Sequence, residues 1–406
     1  MDYERAKSLL RQAGQSHLLD YYGELDEKQR NILLKDIEKT DFTVLENIGL
    51  KRATSVGKLS PVQAETSENI SANREKYEKA GLEVLKAGKV GAVLLAGGQG
   101  TRLGFDKPKG MYDIGVTRHL YIFQLLMESV KNAACLSGVN FPLFIMTGEK
   151  NDAQTRTFFK ENGFFGYPED RVYFFVQDTE PACSYDGKIF LDEKYRLSLS
   201  PNGNGGWYES LVGSGASAVL EREGIEWLNV FGVDNVLQGI CDPVFIGATC
   251  LSGCESGAKV VKKTCAEEKV GVLCKVDGKP SIIEYYDMPH KDAALCGADG
   301  GLVYRYGVIL NYLFKVEKLN GTLGKKLPYH LAEKAIPHIE NGVRVLPTQP
   351  NGYKFEKLVV DMISLTGDCL AFEIERNREF APVKNKTGVD SVETARALLN
   401  ENGVQL

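Results

Sequence analysis

Apolar positions in the N-terminal stretch recur at helical spacing. Leu9, Leu10, Leu18, Leu19 and Tyr22 fall on turn-like intervals, and Ile32, Leu33 and Ile37 resume the pattern after the charged start Asp26-Glu27-Lys28. The spacing predicts amphipathic helices. Ser67 to Lys86 is mostly polar and predicts one longer helix leading into the next domain. From Val90 the pattern changes. Short β-branched runs (Val90–Leu95, Phe141–Thr147, Val172–Val176 and Ile225–Val233) alternate with helix-like segments. That alternation predicts a mostly parallel sheet with helices on both faces. Further on, Val270–Val276 and Ser281–Tyr286 flank Asp277-Gly278, which is a hairpin signal. Inserted antiparallel strands of this kind often build the side of a nucleotide-binding sheet that holds a second substrate.

Bulk properties narrow the class. A chain of 406 residues accommodates two or three domains. Its 43% hydrophobic and 25% charged residues are ordinary for a globular protein. A net charge of -5 argues against a non-specific grip on nucleic acid or on an acidic membrane surface. Asp2 and Glu4 stand where a secretory signal would be basic, and no apolar run approaches bilayer length. Nine scattered cysteines fit reduced thiols and a cytoplasmic location. Cys250, Cys254, Cys265 and Cys274 match no zinc-knuckle spacing and have no histidine among them. Without export, the sequons at Asn69, Asn320 and Asn385 are expected to go unused.

The first apolar strand runs directly into a glycine-rich loop, Leu95-Ala-Gly-Gly-Gln-Gly-Thr-Arg-Leu-Gly104. Glycines after a strand let backbone N–H groups approach phosphates and bases closely. The spacing Gly98, Gly100, Gly104 departs from the dinucleotide fingerprint, and the loop lacks the Gly-Lys-Ser/Thr ending of a P-loop. Instead it carries Arg102, then Lys107-Pro-Lys109-Gly110. Cations around such a loop suit a polyphosphate whose leaving pyrophosphate must be neutralised.

Leu95 to Gly110, read as LAGGQGTRLGFDKPKG, closely resembles the signature of eukaryotic-type UDP-N-acetylglucosamine pyrophosphorylases. The resemblance continues in order through Gly110–Asp113, Pro201–Gly206, Gly232–Asn235, Ile283–Tyr285 and Pro382–Asn385. It implies a Rossmann-like, GT-A-like α/β nucleotidyltransferase fold with a mixed sheet. The implied organisation is a helical accessory domain over 1–88, a catalytic domain over 89–380 and a short segment over 381–406 carrying Lys384. Longer family members carry a further C-terminal domain. By the same resemblance Leu95, Ala96, Gly97, Gly98, Gln177 and Gly203 hold the uracil, and Lys354 contacts phosphate. Asn204, Gly271, Glu284, Tyr285 and Asn311 meet the sugar. Arg102, Lys109 and Lys384 serve the reacting phosphates, and Asp234 ligates Mg²⁺.

Plainer explanations exist for several of these residues. Gln177 at a strand end could cap a turn, and Asp234 could cap the next helix. Glu284 and Tyr285 could belong to an ordinary alternating strand. Lys354 and Lys384, taken alone, read as solvated surface charges. The implied reaction joins UTP to N-acetylglucosamine 1-phosphate. It needs no general base, because a sugar phosphate offers an ionised oxygen near neutral pH; in-line attack leaves cations and Mg²⁺ to stabilise the departing charge. Accordingly the five histidines form no cluster, and no Gly-x-Ser-x-Gly turn appears. A uridylyltransferase for glucose 1-phosphate or for several sugar 1-phosphates is the nearest alternative, although relatives with broad or glucose specificity usually carry histidines in the loop written here Asn202 to Gly206. A glycosyltransferase would be expected to show Asp-x-Asp where Gly232-Val-Asp-Asn235 has one Asp.

Overall fold

A computed structural model describes residues 1–49 and 57–406. The chain forms two compact units. One is built from Met1–Thr54, Asp178–Gly206 and Lys326–Leu358, the other from Ser55–Gln177, Trp207–Lys325 and Val359–Leu406. Among the described residues no helix is long and apolar enough to cross a membrane.

The larger unit is organised by an 11-stranded mixed sheet. Its strands, in chain order, are β1 (Leu59–Pro61), β2 (Ala64–Glu65), β3 (Val90–Leu95), β4 (Leu143–Thr147), β5 (Val172–Val176) and β6 (Trp227–Gly232). They continue with β7 (Ser256–Lys262), β8 (Val272–Val276), β9 (Lys279–Ile283), β10 (Tyr306–Lys315) and β11 (Cys369–Glu373). The main path runs β2-β11-β7-β10-β6-β3-β4-β5, and β8 pairs with β1, β9 and β10. β6, β3, β4 and β5 are mutually parallel. β10 runs antiparallel to all three of its partners, β6, β7 and β8, so the sheet is mixed rather than mostly parallel. Every residue of β3, β4 and β6 is buried, as expected of central strands covered on both faces. The helix Ile122–Ser137 between β3 and β4 places eight residues, including Phe123 and Leu126, in the main core. The predicted hairpin forms: Asp277 and Gly278 both take positive φ, 49° and 83°, which suits a tight two-residue turn.

Parallel strands place their C-terminal ends on one edge. The loops leaving β3, β4, β5 and β6 therefore gather where α/β proteins bind ligands. Those loops carry Gly97–Lys109, Gly148–Asn151, Gln177 and Asp234.

The units divide the chain differently from the consecutive segments 1–88, 89–380 and 381–406. Ala6, Leu10, Leu18, Leu33 and Ile37 present apolar faces that a few short helices cannot bury among themselves. They pack with Ile189, Leu191, Leu197 and Phe355, drawn from two distant segments of short antiparallel strands. The Ser67–Lys86 stretch belongs instead with the large sheet. It is two helices, Ser67–Ala72 and Arg74–Lys86, broken at Asn73 (φ -110°, ψ 10°). There the Asn73 side chain donates to Asn69 O at 2.9 Å, a local bond that competes with the helix. The last segment also belongs with the sheet, with Val383, Val392, Ala395 and Leu399 in the main core.

Candidate active site

The glycine loop leaves the sheet at Gly97. Up to that point Leu95 O accepts from Val233 N–H (3.2 Å) and Ala96 N–H donates to Met146 O (2.9 Å), so both are still held by neighbouring strands. Beyond it the loop folds back on itself. Gly100 N–H donates to Lys107 O (3.0 Å) and Lys109 N–H donates to Gly98 O (3.3 Å), which brings Lys109 beneath the loop. Gly97 makes a close approach: a Cβ there would lie 2.6 Å from Gln177 Oε1, so the amide end would have to shift. Gln177 itself is 6% exposed, and its N–H donates to Thr147 O at 2.8 Å. A primary amide thus lies against the loop backbone at the strand edge.

One residue that the sequence left without a role fixes this loop. Asn151 is 1% exposed, and its Nδ2 donates to Gly97 O (3.0 Å) and Ala96 O (3.3 Å). Its Oδ1 accepts from Gly148 N–H at 2.6 Å. The only signal for it was an Asn between a strand end and a helix, a position that also reads as a cap.

Lys109 Nζ pairs with Asp234 Oδ1 at 2.6 Å, with side-chain exposures of 7% and 37%. Burial holds the Lys109 ammonium below its ordinary pKa range; Asp234 opposes this, while Arg102 and Lys384 add to the depression. Three cations therefore share one electrostatic neighbourhood with the Asp234 carboxylate, and Asp390 adds a second carboxylate at Lys384. Arg102 sits exposed on the loop, and Lys384 is half-buried with its Nζ 3.0 Å from Asp390 Oδ2. Asp234 does not cap the following helix, Pro243–Ser252, whose N-cap is Asp242. It stands in the turn after β6, and its carbonyl accepts from Val383 N–H at 2.9 Å. Among the described residues no three His, Cys, Asp or Glu side chains come together as a metal cage. A single accessible carboxylate suits Mg²⁺, which draws most of its ligands from phosphates and water.

Gly271, Glu284 and Tyr285 lie together around the hairpin. Gly271 O accepts from Val308 N–H at 2.8 Å, and a Cβ on Gly271 would lie 3.3 Å from Glu284 Oε1. Glu284 and Tyr285 stand just past the end of β9 rather than inside the strand, and Tyr285 is 43% exposed. Asn311 lies in β10. It is fully buried, its Oδ1 accepting from Asn229 Nδ2 (2.8 Å) and its Nδ2 donating to Gln238 Oε1 and Gly239 O (3.2 Å each). Both ends of its amide are thus engaged by β6 and the turn that follows it.

Gly203, Asn204 and Lys354 belong to the smaller unit. Gly203 takes φ 83°, and a Cβ there would meet Lys357 O at 2.2 Å. Asn204 opens the helical turn Asn204–Gly206, and Lys354 sits in the strand Gly352–Glu356 opposite Ala332.

The UTP–glucose-1-phosphate uridylyltransferase family matches residues 43–404. The chain is 36% identical over 417 residues to UDP-N-acetylhexosamine pyrophosphorylase-like protein 1 of Mus musculus, covering 96% of this chain and 82% of the relative. It is 34% identical over 421 residues to UDP-N-acetylglucosamine pyrophosphorylase of Saccharomyces cerevisiae, covering 96% and 88%. Among solved structures, the uridine diphosphate N-acetylglucosamine pyrophosphorylase of Trypanosoma brucei in complex with an inhibitor superimposes with a TM-score of 0.82 at 25% identity, covering 98% of this chain and 84% of that one.

Proposed function

The chain belongs to the UTP–glucose-1-phosphate uridylyltransferase family, and from that premise we propose that it transfers the uridylyl group of UTP to N-acetylglucosamine 1-phosphate. The products are UDP-N-acetylglucosamine and pyrophosphate. The observation that carries this reading is the Lys109–Asp234 pair under the glycine loop, flanked by Arg102 and Lys384. A phosphate oxygen of the sugar phosphate attacks the α-phosphorus, the bond from that phosphorus to the β-phosphate oxygen breaks, and pyrophosphate departs with the bonding pair. No proton has to be removed, so the protein's task is orientation and charge stabilisation. The loop backbone and Gln177 orient the uracil, while Lys109 and Arg102 meet the β- and γ-phosphates. Lys384 meets the departing pyrophosphate beside them. Asp234 would hold Mg²⁺, which supplies neutralisation of the polyphosphate charge when bound. The nine cysteines are all free thiols, in keeping with a cytoplasmic enzyme acting on small molecules.

The nucleotide pocket can be tested at Gly97. An alanine Cβ 2.6 Å from Gln177 Oε1 forces either the loop or the amide to move. Gly97→Ala is expected to raise the KM for UTP by about tenfold or more, as expected for one disturbed buried polar contact. An unchanged KM in kinetic assays would remove Gln177 from the base site.

The acceptor is tested by measuring pyrophosphate release from UTP with a panel of sugar 1-phosphates. An N-acetyl amide would bring a donor, an acceptor and a methyl to the Gly271–Glu284 neighbourhood, where a glucose hydroxyl brings one small polar group. The expected order of kcat/KM is N-acetylglucosamine, then N-acetylgalactosamine, then glucose 1-phosphate, with roughly 10-fold or greater discrimination against glucose. Glucose 1-phosphate matching N-acetylglucosamine 1-phosphate would overturn the N-acetyl assignment.

A further inference from the structure

Lys259 lies in the middle of β7, fully buried, between Ala258 and Val260, which are themselves fully buried. An ammonium in such a place is tolerated only if it is paired and hydrogen-bonded. Its Nζ reaches Asp242 Oδ2 at 2.9 Å, Glu379 Oε2 at 2.5 Å and Gly239 O at 3.2 Å, with the Phe245 ring centroid at 5.6 Å. The two carboxylates come from different parts of the chain. Asp242 follows the turn that carries Asp234, and Glu379 ends the short helix Arg376–Glu379 that precedes Lys384.

From this cluster a run of hydrogen bonds leads toward the phosphate-binding cations. Glu379 Oε2 also accepts from Gly239 N–H at 3.0 Å. Asn235 Nδ2 donates to Glu379 O at 2.7 Å, and Asn235 Oδ1 accepts from Ala381 N–H at 2.9 Å. Val236 N–H donates to Ala381 O (3.3 Å), and Val383 N–H donates to Asp234 O (2.9 Å). The next residue is Lys384. The run therefore begins at Lys259 and ends where Asp234 and Lys384 flank Lys109.

We propose that Lys259 is a positioning residue of the reaction, clamping the Glu379–Lys384 segment onto the Asp234 turn so that Lys384 is held at the pyrophosphate site. A buried ion cluster is on average no more stabilising than apolar packing of the same volume, so stability alone does not account for a lysine in this strand. An apolar side chain could fill the space but could not bind both segments. Lys259 touches no substrate and acts only through Asp234 and Lys384.

The inference rests on the uridylyltransferase reading, and its test separates the two. Glu379→Gln keeps the shape of the side chain while weakening the clamp, and Lys259 retains Asp242. The wild-type enzyme and the variant are compared for pyrophosphate affinity, for uridine affinity by calorimetry, and for kcat and KM in the pyrophosphate-consuming direction. The expected result is about a 10–100-fold loss in pyrophosphate affinity and kcat, the size of effect that an ångström-scale misplacement produces. Uridine, held by the glycine loop and Gln177, is expected to bind within twofold of wild type. Should Glu379→Gln not fold, Lys259→Met combined with Asp242→Asn and Glu379→Gln removes every charge of the cluster together and is expected to give the same selective loss. Equal weakening of uridine and pyrophosphate, or no weakening of pyrophosphate, would overturn the positioning role. A wild-type protein that binds no pyrophosphate would overturn the uridylyltransferase reading itself.

Discussion

Replacing Lys109 with alanine is expected to lower turnover by about 10²–10³, the range for loss of one preorganised charge contact at a developing anion. Lys109 is only 5% exposed, so its interaction with a phosphate is poorly screened by water. It is also fixed in place: its backbone N–H is held by Gly98 O and its ammonium by Asp234. The same burial that depresses its pKa makes it worth more to a leaving pyrophosphate than a solvated lysine would be. The fold is expected to tolerate the change, since Asp234 is 37% exposed at its side chain and can rehydrate once unpaired. Lys109→Arg is not expected to restore the rate, because a planar guanidinium does not fit a slot shaped for a slender ammonium. Steady-state kinetics with a thermal melt on the same sample decide the matter. A near-normal kcat in a folded Lys109→Ala protein would remove Lys109 from the reaction.

Much of this site was legible along the chain because its parts are local. Val90–Leu95 and Val172–Val176 read as strands from composition alone and are strands over those residues. The glycine loop with Arg102 and Lys109 is contiguous, so its chemistry could be read before its geometry. What escaped depends on contacts between distant residues. Asn151 lies some fifty positions from the loop carbonyls it holds, and nothing local distinguishes it from a helix cap. Lys259 stands out in an apolar run, but its partners Asp242 and Glu379 can be named only from the fold. Asn311 is assigned by resemblance, and its partners Asn229, in the neighbouring antiparallel β6, and Gln238 can likewise be named only from the fold. The N-terminal helices were legible as helices, but the strands that complete their core come from residues 178–206 and 326–358.

Asp234→Asn is expected to lower kcat by about a hundredfold or more, the scale of losing a preorganised charge at the phosphates. Two effects combine. The carboxylate that would hold Mg²⁺ becomes a weak neutral ligand, so half-saturation should require several times more Mg²⁺. Lys109, buried beside it, loses its counter-charge and is left with Arg102 and Lys384, which are of like sign. The site as a whole becomes more positive. The KM for UTP is therefore expected to stay level or fall while kcat collapses, a split that separates transition-state loss from loss of ground-state binding. Stability should change little, because the structural bond at this residue is made by its carbonyl, which accepts from Val383 N–H and survives the substitution. The helix-cap explanation predicts the reverse pattern, about 1 kcal/mol of lost stability with an ordinary Mg²⁺ response. Asp242 already serves as that cap, accepting from Val244 N–H at 2.9 Å. Measuring kcat, KM and melting temperature across a Mg²⁺ titration distinguishes these outcomes. A destabilised variant with a normal Mg²⁺ curve and near-normal kcat would take Asp234 out of the catalytic site and leave it as a turn residue.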